Sequence, residues 1–92
     1  MNEKHWSVDI TIDERTSEMG NRTRAIARLH SRDDTHLAGV GFARCNPSDR
    51  DVPEIGDELA VSRALADLSR QVIEATRTDL AGITHEPIHL TS

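Results

Sequence analysis

The chain holds one cysteine, one tryptophan, one phenylalanine and no tyrosine. With Cys45 alone no intrachain disulfide can form, so the staple of small secreted domains is missing and a reducing cytoplasm is the expected compartment. With Trp6 and Phe42 the only aromatics, the core must come from Val, Ile, Leu and Ala. A chain this short buries only about 60–65% of its unfolded surface, so its core is thin and a partner subunit would strengthen it. No run approaches the roughly 20 apolar residues that span a bilayer. The opening MNEKHWSVDI has neither an apolar signal core nor an Arg-rich amphipathic stretch. One cytoplasmic, unprocessed domain over residues 1–92 is expected.

Chemistry-bearing patterns are also missing. There is no nucleophile elbow and no Gly-rich phosphate loop, since Gly39 and Gly41 precede a loop of the wrong pattern. His85 and His89 invite a metal reading, but Pro87 between them opposes the helix that would join them. On a strand they stand about 13 Å apart, too far for one ion. Cys45 has no partner readable from the sequence and reads as a small apolar thiol. Neither a catalytic centre nor a cofactor, metal or small-molecule site is expected.

The net charge of −5 is unevenly placed. Residues 1–44 carry seven Lys/Arg and seven Asp/Glu, whereas residues 45–92 carry four and nine and hold the whole excess. A polyanion is therefore met by the first half, because the second repels it.

From His5 to Asp13, Trp6, Val8, Ile10 and Ile12 alternate with polar residues, the mark of a strand with one buried face. ERTSEMGN, Glu14–Asn21, reads as a hairpin loop. A second strand follows over Arg22–His30, with Thr23, Ala25, Ala27 and Leu29 on one face under something bulky, and Arg22, Arg24, Ile26 and Arg28 on the other. Leu37–Arg44 is a third strand, with Ala38, Val40 and Phe42 on one face and Gly39 and Gly41 on the opposite, thin outer face. That glycine pair marks a twisted sheet, a bulge or a close approach.

After the loop Cys45–Val52, apolar residues from Ile55 to Ile73 recur at three- and four-residue steps, predicting one long amphipathic helix through Ala75; Pro53 suits its first position, while Gly56 leaves the first turn ambiguous and a start near Asp57 open. Glu54, Asp57 and Glu58 lead it, and Arg70 and Arg77 trail, as the helix dipole favours. Arg63/Asp67 and Arg70/Glu74 are spaced to pair at i,i+4. Thr78 is expected to cap a short further turn, Thr78–Gly82, and Ile83–Leu90 to form an edge-type strand. The fold class is α+β: a three-stranded antiparallel sheet packed by one long helix.

Two surfaces are candidates for function. Arg22, Arg24 and Arg28, extended by Arg44 from the third strand, form a row that can follow a phosphate backbone. Asp9 and Asp13 on the neighbouring strand are placed to neutralise it, and no Tyr or Phe is expected among these arginines for bases to stack on. The other surface is the acidic helix, with Asp57, Glu58 and Asp67 as its recognition residues for a basic protein partner.

The run HWSVDITIDE, then LAGVGFAR, then NPSDRDVPEIGDELA and ALADL resembles, over nearly the whole chain, a family of short actinobacterial proteins of unknown biochemical function. That family includes a mycobacterial dormancy-associated member likened to ribosome hibernation-promoting factors. The resemblance implies a fold like the double-stranded-RNA-binding domain (dsRBD) and a homodimer whose C-terminal extension crosses the subunit interface. It also implies a role in stress or dormancy on the ribosome, with rRNA as partner. Such RNA-binding domains put Lys at the start of their C-terminal helix; here Glu54, Asp57 and Glu58 stand there, so any RNA falls to the sheet and its arginines.

Overall fold

The computed structural model describes residues 2–31, 36–46 and 52–84. The alternating apolar residues do form a strand, β1 (Ser7–Ser17), followed by β2 (Gly20–His30), β3 (Ala38–Cys45) and one helix, α1 (Pro53–Thr84). The sheet is antiparallel throughout, in the order β1-β2-β3. The three-stranded sheet and single long helix agree with the α+β expectation. The expected edge strand Ile83–Leu90 is contradicted at its start, since Ile83 and Thr84 belong to α1, and its remainder, with His85, Pro87 and His89, lies outside the described residues.

The hairpin loop is shorter than its composition suggests. Residues 14–17 and 20–21, expected as loop, are paired strand, and only Glu18 and Met19 turn. Ser17 Oγ accepts from the Met19 N–H and donates to the Gly20 carbonyl, both at 3.2 Å. Gly20 takes a φ of 112° that side chains rarely adopt. Most of this ribbon is exposed, so no alternation of apolar and polar residues marks it as strand.

Helix α1 begins at Pro53, the earlier of its two possible starts, with the Val52 carbonyl accepting from Ile55 and Gly56 N–H. It does not stop at Ala75. Thr76 and Thr78 hydroxyls donate to the carbonyls of Val72 and Glu74 at 2.9 and 3.0 Å. Thr78 is thus an interior residue bonded back along the helix, not the cap of a separate turn. At 1.5 Å per residue α1 is about 48 Å long, longer than the roughly 36 Å of an eleven-residue strand.

The glycines decide how helix and sheet meet. Gly39, Gly41 and Ala43 are buried under α1, and Val40, Phe42 and Arg44 point the other way, the reverse of a thin outer face. A Cβ on Gly39 would stand 2.2 Å from the Ala64 carbonyl oxygen, and one on Gly41 2.2 Å from that of Ala60. The helix backbone therefore lies directly on the strand. The expected cover over the small face of β2 is α1 itself: the fully buried Ala25 and Ala27 share one core cluster with Ala60, Ala64 and Leu68. Small residues on both elements let the two backbones approach closely, and among the described residues no large side chain is fully buried.

Because α1 sits over β3 and β2, it barely touches β1. Val8, Ile10 and Ile12 pair with Leu29, Ala27 and Ala25, so they occupy the helix side of the sheet. They nonetheless remain 41%, 38% and 44% exposed, with Trp6 at 55%. The expected buried face of the first strand is an uncovered apolar row beside Leu65, Leu68 and Val72 of α1.

Candidate nucleic-acid interface

The side of the sheet away from α1 is open, and the strand register lays out its contents. In antiparallel pairing, residues directly opposite share a face about 5 Å apart. Nearest the β1–β2 turn, Arg15 stands opposite Arg22 and Arg22 opposite Arg44. Next come Asp13, Arg24 and Phe42, then Thr11, Ile26 and Val40, then Asp9, Arg28 and Ala38. The open face thus presents five arginines against two aspartates, on a chain whose net charge is −5.

Three guanidinium groups abreast repel one another, since like charges directly opposite destabilise a sheet. Asp13 relieves one end: its carboxylate lies 3.5 Å from Arg24 and 3.8 Å from Arg15. Among the described residues no carboxylate lies within ion-pair distance of Arg22, Arg28 or Arg44. The expected neutralisation of the row therefore reaches Arg24 alone of its four members.

The row is also differently composed. Arg44 does extend it, directly beside Arg22. Arg28 stands apart, six residues along β2 from Arg22 or about 20 Å at strand spacing, opposite Asp9. Arg15 joins the cluster because β1 continues through the segment expected as loop.

Phe42, 52% exposed, lies among these arginines, contrary to the expectation that no aromatic would. Placing Gly39 and Gly41 outside turned Phe42 inside; once the glycines lie under the helix, alternation puts it on the open face. Two surface depressions flank it, one lined by Asp13, Arg15, Arg22 and Arg24, the other by Arg22, Arg44 and Arg63.

The acidic candidates do not converge. Glu58 and Asp67 are two and a half turns apart at 3.6 residues per turn and face opposite ways; Asp57 is half-buried near the helix start. Asp67 is turned to the sheet instead. Its Oδ2 accepts from the Val40 N–H at 2.9 Å and from Gln71 Nε2 at 3.2 Å, and its Oδ1 from Arg70 at 3.2 Å. The Val40 N–H foremost holds its carboxyl below the ordinary aspartate range; burial, next in size, opposes it, and Arg70 and Gln71 add to the lowering.

Arg63 and Gln71 flank Asp67 one helical turn to either side and donate to the Phe42 and Ala38 carbonyls, the latter at 2.7 Å. Arg63/Asp67 is thus not an i,i+4 pair, and the helix surface pairs fall at i,i+3, Arg70 with Asp67 and Arg77 with Glu74. The stripe 63, 67, 71 runs beside the buried 60, 64, 68 stripe, the one sequence signal that could have marked it.

The chain belongs to the Rv2632c-like family, whose model matches residues 4–89. It is 51% identical over 87 residues to the uncharacterized protein Mb1767 of Mycobacterium bovis, covering 95% of this chain and 87% of that one. It is 44% identical over 85 residues to the uncharacterized protein Rv2632c of Mycobacterium tuberculosis, covering 92% and 90%. The crystal structure of Rv2632c is similar with a TM-score of 0.79 at 44% identity, over 95% of this chain and 98% of that one. No helix among the described residues is long and apolar enough to cross a membrane.

Proposed function

We propose that this member of the Rv2632c-like family is a non-enzymatic stress- or dormancy-associated protein that contacts ribosomal RNA through its open sheet face, in the manner of a hibernation factor. The observation that carries this reading is the Arg15–Arg22–Arg44 row: three like charges abreast, with Arg22 and Arg44 unmatched among the described residues. Such a row has a physical use when a polyanion supplies the missing charge. Arg24 and Arg28 add positive potential along the same face, while the acid-rich helix lies behind the sheet.

The reading includes a second copy of the chain. Trp6, Val8, Ile10 and Ile12 line the helix side of β1 without cover, beside a core of alanines and Leu68. Pairing β1 with a partner's β1 would set the two apolar rows side by side between the two helices and join the open faces into one.

The test is sedimentation of lysates from growing and from starved or oxygen-limited cells through a sucrose gradient, with detection of this protein. Co-migration with ribosomal particles in starved cells, abolished by high salt and by charge reversal of Arg22 and Arg44, is the expected result. Confinement of the wild type to the top fractions in both states refutes the ribosome.

A further inference from the structure

We infer that the open face takes single-stranded RNA, with one base stacked on Phe42 and the adjoining phosphate held by Arg22, Arg44 and Arg63. This rests on the sheet-face reading above and adds which form of RNA the face accepts.

Phe42 carries the argument. A half-exposed aromatic ring beside Arg24 and Arg44 is a stacking platform, and stacking requires a base free of its partner strand. In a duplex the bases are paired and stacked on each other, so the ring would be left facing sugar and phosphate. Ile26 and Val40, next along the same face, continue the apolar strip beside the ring. The element that a duplex-binding domain uses is unsuited here, because the first turns of α1 carry Glu54, Asp57 and Glu58.

The two depressions beside the ring differ in charge, and that assigns their roles. Asp13 lines one of them, which repels phosphate but offers an acceptor beside the Arg24 donors for the edge of a base. The other has Arg22, Arg44 and Arg63 and no carboxylate in its lining, so the phosphate belongs there. Arg63 is held at that rim by its bond to the Phe42 carbonyl.

The experiment is fluorescence anisotropy of the full chain with a labelled single-stranded RNA ten-mer and with a duplex of the same length, across a salt series. Single strands are expected to bind at least tenfold tighter than duplex. With three phosphate-facing arginines, log K should fall with log salt at a slope of about −2. Arg44→Gln should flatten that slope by about 0.7. Phe42→Ala and Phe42→Leu should each lose roughly tenfold in affinity at unchanged slope, and Phe42→Trp should restore it. Circular dichroism melts confirm that each variant is folded.

Duplex binding as tight as single strand, or a Phe42→Leu variant that binds like wild type, overturns the single-stranded mode. If Arg44→Gln still weakens binding in that case, the sheet-face reading stands. If neither RNA binds the wild type, both readings fall together.

Discussion

β1 and β3 are both edge strands of one sheet, and the structure treats them in opposite ways. β3 lies beneath α1 with its glycines against the helix backbone, and its outer edge is bonded by Arg63, Asp67 and Gln71. β1 has the more apolar side chains on the helix side, yet α1 leaves them bare. The difference shows that reach, and not hydrophobicity, places this helix. A strand that offers no Cβ lets the helix backbone settle onto it, and polar side chains on the helix flank then satisfy the free N–H and C=O groups. Edge strands left unblocked are templates for pairing, and among the described residues only β3 is blocked.

Gly41→Ala puts a methyl group into the Ala60 carbonyl, so unfolding in urea should show a loss of about 3 kcal/mol or more. Gly82→Ala, with nothing within 4 Å of the added atom, should raise stability by as much as about 1 kcal/mol. Equal effects from the two would mean that α1 is not seated on β3. On the other edge, Ile10→Lys should leave the monomer folded but abolish self-association. Light scattering should then give half the wild-type mass, and a wild type that is already monomeric removes the second copy.

Smaller effects sharpen the picture of the β3 edge. Removing the amide of Gln71 by Gln71→Ala should cost about 1–2 kcal/mol, since it loses both the hydrogen bond to the Ala38 carbonyl and that to the Asp67 carboxylate. Asp67 makes that edge acid-sensitive. Its folded-state pKa is lowered, so its contribution is present above the unfolded value of about 3.9 and is lost as pH falls through the folded value. Asp67→Asn should be less stable at neutral pH and lose less on acidification than the wild type. The smallest effect on stability belongs to the open face: Arg22→Gln should change it by less than about 0.5 kcal/mol, in the stabilising direction if relief of repulsion in the row outweighs the lost attraction to carboxylates.

Much of the fold was legible in the chain. Period-two alternation marked all three strands and three- and four-residue spacing marked the helix, whose start was legible only as Pro53 or near Asp57. What failed to show were features without periodicity. Residues 14–17 read as loop because most of that ribbon is exposed, and Thr78 read as a cap because a hydroxyl bonded back to Glu74 looks the same in sequence as one that starts a helix. At the site, Arg22, Arg24, Arg28 and Arg44 were visible as a row, whereas the membership of Arg15 depended on the hairpin register and that of Phe42 on which face the glycines took.

By itself the sequence determined the elements, their order, the arginine-bearing face of β2 and the separation of acid into the C-terminal half, because these follow from local spacing and composition. Only the tertiary structure decided which side of β3 is inside. Hydrophobicity argues for burying Val40 and Phe42, but the helix backbone lies so close to positions 39 and 41 that it excludes a Cβ at either, and that steric demand, invisible along the chain, turns the glycines inward and Phe42 out among the arginines.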